Sequence, residues 1–286
     1  MRSSLLNWIG IALLGWPLAA AAQGPSTEWL GVRLEALPIG EPYPPYLADP
    51  HRRALSLKWL GFDRVDIPDT GSSRLLVRAG MRFGLLRFTP VDRPDEAWQL
   101  SFEGGYDAQF DNDRRQDNIG WDGHYGLLLT TRRGPFAYKL GALHVSGHVG
   151  DEYMERVGRP RINYTREEWV AGIAWSPDPH WTAYAETGRA YHRGSPLLER
   201  WRAQAGVQVE RRPPQWERLG WYAGLDLQGM EERDWRVDVA LQVGLSIPSG
   251  HRLWRVGLEL YEGRPPMTEF FEHTERYIAL GAWLDI

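Results

Sequence analysis

The stretch WRVDVALQVGLSI, residues 235–247, puts Trp235, Val237, Val239, Leu241, Val243, Leu245 and Ile247 on one side of an extended chain. Arg236, Asp238, Gln242 and Ser246 fall on the other. Strict alternation of this kind is the mark of a β-strand with one apolar face. The pattern recurs. In 97–111, Trp98, Leu100, Phe102, Tyr106 and Phe110 oppose Gln99, Ser101, Glu103, Asp107 and Gln109. In 200–210, Trp201, Val207 and Val209 oppose Arg202, Gln208 and Glu210, and the chain ends with Ile278, Leu280, Leu284 and Ile286 on one face. Twelve such segments are predicted, near 53–60, 73–88, 97–111, 118–132, 136–148, 161–175, 180–191, 199–210, 219–230, 234–247, 252–263 and 275–286. Each can supply the ~9–11 residues that a tilted membrane strand needs.

The connectors alternate in length. Residues 132–135, 176–179, 211–214 and 248–250 are tight turns rich in Pro and Gly, whereas 61–72, 149–160 and 264–274 are longer and polar. Short turns at one end and long loops at the other suit an outer-membrane barrel with both termini in the periplasm. A soluble sandwich also alternates. It would have to bury its apolar face against a second sheet, leaving charges such as Arg74, Arg78, Arg82, Glu103 and Asp107 in water. A barrel instead gives the apolar face to lipid and the charged face to a wet lumen. Trp59, Trp98, Trp121, Trp175, Trp181 and Trp201 fall near segment ends, where aromatic girdles belong. In lipid every backbone group must be paired, which demands closure. The expected fold is therefore all-β, a closed antiparallel twelve-stranded transmembrane barrel over residues 52–286. Arg74, Arg78 and Arg82 are expected to pair with Glu103 and Asp107 on the next strand and to fill the lumen.

Residues 1–22 read as a signal peptide: Arg2, an apolar run from Leu5 to Leu18, then Ala20-Ala21-Ala22 before Gln23. Residues 23–51 carry Pro38, Pro42, Pro44, Pro45 and Pro50 and are expected to form a periplasmic lead-in or plug. The formal net charge of −4 gives no basic footprint, which argues against nucleic acid. Cysteine is absent, which excludes disulfides, thiolate metal sites and a cysteine nucleophile. His124 and His192 stand singly, without ligand spacing.

The segment from His144 through Ser146, His148, Asp151 and Glu152, followed by Arg161, Asn163, Arg166 and Glu167, is richest in chemistry. His144 and Ser146 share the parity of Phe136, Tyr138 and Leu140, and Asn163 shares that of Trp169 and Ile173. If no bulge intervenes, all three face outward at the extracellular ends of neighbouring strands. A hydroxyl beside an imidazole, oriented by a third polar group, is an activated nucleophile. The roles are Ser146 nucleophile, His144 base and Asn163 orienter, with His148, Asp151, Glu152 and Arg166 as candidate binding residues. Polar residues are also ordinary at the interfacial end of a strand.

The stretches Tyr43–Pro50, Arg82–Arg87, His144–Glu152 and Arg161–Glu167 resemble an uncharacterised bacterial family, a domain of unknown function placed among outer-membrane barrels. That resemblance spans most of the chain. It implies the cell outer membrane of a Gram-negative bacterium and a barrel fold, and no activity. Locally, His144, Ser146 and Asn163 resemble outer-membrane phospholipase A, a twelve-stranded barrel with an H-x-S pair on one strand and an Asn on the next, facing lipid. The chain departs from it where Gly147 directly follows Ser146 and where the gap to Asn163 is longer. This second resemblance implies a serine hydrolase of phospholipase A or lipid A deacylase type. It also implies calcium as cofactor, with Asp151 and Glu152 as its oxygen ligands, and a homodimer. Outer-membrane lipids and the barrel-assembly machinery are the remaining expected partners. A narrow pore and a structural barrel without chemistry are the alternatives.

Overall fold

The computed structural model describes residues 24–211, 219–249 and 252–285. The proposed signal peptide, most of the 211–214 turn and Ile286 lie outside them. The strands are β1 (Ser26–Trp29), β2 (Val32–Ala36), β3 (Leu55–Arg64), β4 (Ser73–Pro90), β5 (Trp98–Asp111), β6 (Asp117–Arg133), β7 (Phe136–Val149), β8 (Thr165–Trp175), β9 (Trp181–Arg193), β10 (Trp201–Arg211), β11 (Gly220–Met230), β12 (Asp238–Ser249), β13 (Arg252–Gly263) and β14 (Glu275–Asp285). Among the described residues one α-helix, α1 (Asp151–Val157), lies in the β7–β8 connection. Strands β3 to β14 pair antiparallel in chain order, and β14 returns to β3. The result is the expected closed twelve-stranded barrel.

The alternation fixes which face is which. On β12, Val239, Leu241, Val243, Leu245 and Ile247 are exposed while Asp238, Ala240, Gln242 and Ser246 are buried. Leu129, Leu140, Trp169, Leu258 and Leu280 extend the exposed apolar band around the barrel. Water would penalise so large a continuous apolar surface, and lipid does not. The strand is shorter than its pattern of alternation. Asp234 and Trp235 take positive φ of 52° and 58° in the loop before β12, so the strand begins at Asp238 rather than at 234.

The lumen is filled with paired charge. Arg78 donates Nε and Nη2 to Asp107 at 2.6 and 2.7 Å, and His124 Nε2 reaches the same carboxylate at 3.1 Å. Arg82 donates to Glu103 at 2.6 Å, Arg74 to Glu275 at 2.7 Å, and Lys58 to Glu259 at 2.7 Å. Arg202 bridges Glu168 and Glu186. Pairing is what allows these ions to be buried, since a lone one would cost several kcal/mol.

Residues 24–54 hold a feature that their weak pattern conceals. β1 and β2 form a hairpin whose turn uses positive φ at Leu30 and Gly31, and β2 pairs with β4 at residues 86–90. That part of β4 extends past the β3 pairing, which covers residues 73–79. The chain then crosses the lumen. Tyr43, Tyr46, Leu47 and Ala48 are buried. Leu47 N–H donates to Gln208 Oε1 at 2.8 Å, and Gln228 Nε2 donates to Asp49 Oδ1 at 3.0 Å. Arg132 Nε donates to the Pro42 carbonyl, and the Tyr46 ring stacks on Tyr184 at 3.8 Å.

Three connections interlock over the opposite end. Glu269 accepts the N–H groups of Ile162 and Tyr164, Asp122 accepts N–H and Oγ1–H of Thr268, and Tyr153 donates to the Pro68 carbonyl. Tyr153, Met267 and Phe270 pack with Ile119 and Val149. Burial pushes the Tyr164 hydroxyl up to about 12.

Candidate functional site

β7 pairs without a register shift along both its neighbours up to its loop end. Alternation therefore continues through it. Val145 and Gly147 face the lumen, and His144, Ser146 and His148 face outward with Tyr138 and Leu140. In antiparallel strands, residues directly opposite share a side. His144 stands between Tyr125 on β6 and Glu167 on β8, and Ser146 between Gly123 and Thr165. His148 stands opposite Trp121.

The rings stack accordingly. His144 lies on Tyr125 with centroids 4.5 Å apart, and His148 lies on Trp121 at 3.9 Å. Gly123 leaves the space between the two stacks without a side chain, and a Cβ built there would meet Ser146 Oγ at 3.5 Å. The hydroxyl thus sits in a notch walled by two aromatic–imidazole pairs. Glu167 Oε1 lies 3.4 Å from His144 Nδ1, which is ion-pair range, but Nδ1 has no aligned hydrogen-bond partner. Among the described residues Ser146 Oγ makes no hydrogen bond to His144. The Gly147 N–H, next to the candidate nucleophile, donates to the Tyr164 carbonyl at 2.8 Å.

The other expected site residues scatter. β8 starts at Thr165 rather than near Arg161, so Asn163 lies beyond the last ladder pair, exposed, with φ of 61°. Thr165 and Glu167 hold the positions opposite the serine and histidine, and the structure does not bring Asn163 to His144. Arg166 is one residue from Glu167 and so points the other way. It is buried in the lumen wall, donating to Glu168 Oε2 at 2.8 Å and to the Glu199 and Arg200 carbonyls. Asp151 and Glu152 occupy the first turn of α1 and are exposed, with Asp151 paired to Arg161 at 3.2 Å. Among the described residues no three His, Cys, Asp or Glu side chains converge as a metal cage. Asp151 and Glu152 alone do not fit calcium, which takes 6–8 oxygen ligands. Glu167, which sequence reasoning does not single out, shares the parity of Trp169 and Ile173, and that parity is the signal that places it beside His144.

The fold is similar to that of outer membrane phospholipase A from Escherichia coli, with 10% identity, 82% of this chain and 92% of that one covered, and a TM-score of 0.57. An active site mutant of that same protein gives 11% identity, 86% and 93% coverage and a TM-score of 0.58. The Salmonella typhi outer membrane phospholipase dimer with bound calcium gives 10% identity, 86% and 94% coverage and 0.56. At these identities the likeness is one of fold. No match to a curated protein was found. The match that reaches across almost the whole barrel is to a family described as protein of unknown function (DUF1207), over residues 20–285, and the chain belongs to that family.

Proposed function

We propose that this barrel resides in the outer membrane of a Gram-negative bacterium and hydrolyses acyl esters of lipids in the outer leaflet. The observation that carries the reading is the outward-facing placement of Ser146 and His144, two residues apart on β7, with Glu167 3.4 Å from His144 Nδ1. Ser146 Oγ attacks the ester carbonyl while His144 Nε2 takes its proton. The proton then passes to the departing alcohol. Water attacks the resulting acyl-serine by the same route and releases the fatty acid. Glu167, a positioning residue, holds the imidazole ring by its other nitrogen, the part first given to Asn163. Such hydrogen bonds are often long without substrate and tighten in the reactive complex. The solved phospholipase dimer with bound calcium supports adding a homodimer to the proposal. No step is routed through calcium, because this chain's own acids do not form a cage for it.

A barrel without chemistry is the second reading. It is favoured by the Gly147 N–H, which is committed to Tyr164 O and so is not free to stabilise an oxyanion. Fatty-acid release from phospholipid in mixed micelles separates the two. The hydrolase reading requires activity in the wild type and loss of several orders of magnitude in Ser146→Ala and His144→Ala; removing one triad member costs on the order of 10⁶ in a serine protease. It also requires a smaller loss in Glu167→Gln, with a shifted pH profile, and near-wild-type rates in Asn163→Ala. A wild type that releases nothing, or an active Ser146→Ala, removes it.

A further inference from the structure

On the outer wall, Arg189 of β9 stands between its two direct ladder partners, Trp169 on β8 and Trp201 on β10. All three are exposed on the face that carries the apolar band. Trp175 and Trp181 mark the turn end of β8 and β9, so Trp169 and Trp201 belong to the aromatic belt at the loop end. Such belts lie at the level of the lipid headgroups.

The Arg189 guanidinium lies over the Trp201 ring, 5.6 Å from its centroid. That contact orients the cation and uses none of its N–H donors. Among the described residues Arg189 has no hydrogen bond to the protein and no carboxylate within ion-pair distance. Arg276, also exposed and close to a loop, is instead neutralised by Asp63 at 2.6 Å. A planar guanidinium with free donors matches phosphate oxygens two at a time. At headgroup depth, lipid phosphates are the anions within its reach.

The cation also stands beside the notch. His144 faces Glu167, two residues from Trp169 on β8, and Trp169 faces Arg189. Two strand spacings across and two residues along amount to about 12 Å. The heights agree, because the ladder climbs toward the loop end from β3 to β7. Leu55, Ala79, Tyr106, Gly123 and Ser146 are successive partners, the first at the start of β3 and the last near the end of β7. The same climb across β8 and β9 offsets the step from Glu167 down to Trp169, which leaves Arg189 close to the height of His144.

We propose that Arg189 receives the phosphate of an outer-leaflet lipid, whose adjoining groups pack on Trp169 and Trp201. A lipid held there presents its acyl esters to the notch; that consequence rests on the hydrolase reading, and the phosphate site does not. Native mass spectrometry of the full chain in a nonionic detergent tests the site with lipids whose ether-linked chains resist hydrolysis. Dialkyl phosphatidic acid should bind saturably at one site per barrel. The matching dialkylglycerol, which lacks phosphate, and inorganic phosphate alone should bind roughly tenfold more weakly or worse, the worth of a charge-assisted contact. Arg189→Gln should remove that preference and Arg189→Lys should restore part of it. Arg276→Gln and Ser146→Ala should leave it unchanged. Heat-dependent gel mobility confirms that each variant forms a barrel. The proposal is overturned if dialkylglycerol or inorganic phosphate binds as tightly as phosphatidic acid, if folded Arg189→Gln binds like the wild type, or if Arg276→Gln weakens binding as much. A wild type that binds phosphatidic acid at Arg189 but releases no fatty acid removes the hydrolase reading and leaves this site standing.

Discussion

Replacing Asp107 by Asn tests the claim that the lumen is held by paired charge. Asp107 is fully buried and receives two bonds from Arg78 and one from His124. The amide keeps the shape but strips the negative charge, leaving the Arg78 guanidinium, 1% exposed, without its counter-ion. Removing one partner of a buried pair costs about 3–5 kcal/mol, and the lost two-pronged geometry puts this site at the upper part of that range. Removing both should cost less than removing one, because an apolar pair of similar volume is often neutral. Arg78→Met with Asp107→Leu should therefore lie closer to wild type than Asp107→Asn. Arg78 also donates to the Arg52 carbonyl of the strap, so recovery will be incomplete by about 1 kcal/mol, the usual net worth of one hydrogen bond. Urea unfolding in lipid vesicles, followed by tryptophan fluorescence, gives the three stabilities. An Asp107→Asn barrel within ~0.5 kcal/mol of wild type, the range of ordinary surface changes, would refute the packed-lumen argument.

Three further outcomes are expected. Planar bilayers containing the protein should show negligible steady current, and deleting residues 41–52 should open one; large stable steps in the wild type would contradict the strap's course across the lumen. A cysteine at Asp151 should label on intact cells and one at Gly134 should not, and equal labelling would undo the assigned orientation. Asp66 accepts the Thr274 N–H at 2.8 Å and lies 3.5 Å from His273, and that backbone hydrogen bond leads the effects holding its carboxyl below the usual aspartate range. A depressed carboxyl stabilises above its ordinary value and loses that contribution as pH falls through the lowered one. Hydrogen exchange at the Thr274 amide should accelerate at acid pH in the wild type and be fast at all pH in Asp66→Asn.

The barrel was legible because lipid imposes a harsh rule on sequence. Each strand must alternate, and β13 was read at 252–263, where it stands. The lumen pairs Arg78–Asp107 and Arg82–Glu103 follow from parity alone, whereas Arg74, expected to pair with the same two acids, reaches Glu275 of β14 instead, a partner that strand neighbourhood does not reveal. What failed to show was whatever alternation does not govern. β1 and β2 are short, the first exposed and the second only half-buried, so no alternating apolar face marks them. The strap is held by side chains meeting across the barrel, as Leu47 meets Gln208, and such contacts leave no local pattern. Trp235 kept the right parity by accident while sitting in a loop at positive φ. The pattern places the start of β8 four residues early, because the Ile162 and Tyr164 N–H groups are taken by the Glu269 carboxylate of a distant loop and not by a strand ladder. That misplacement chose Asn163 over Glu167 as the residue beside His144.

The seam between β3 and β14 has a bearing on how the molecule is made. It pairs Leu55 with Leu284, so the first and last barrel strands meet only after the intervening chain has been threaded. Contacts between such remote positions are slow to form. Until they do, β3 and β14 each present a naked row of backbone donors and acceptors, the template for pairing with a wrong chain. The strap lies immediately before β3 and must already be inside when the cylinder shuts, because afterwards its tyrosines would have to pass a closed wall. Assembly is therefore a race between closure and capture, and substitutions at the seam should reduce yield more than they reduce the stability of barrels already formed.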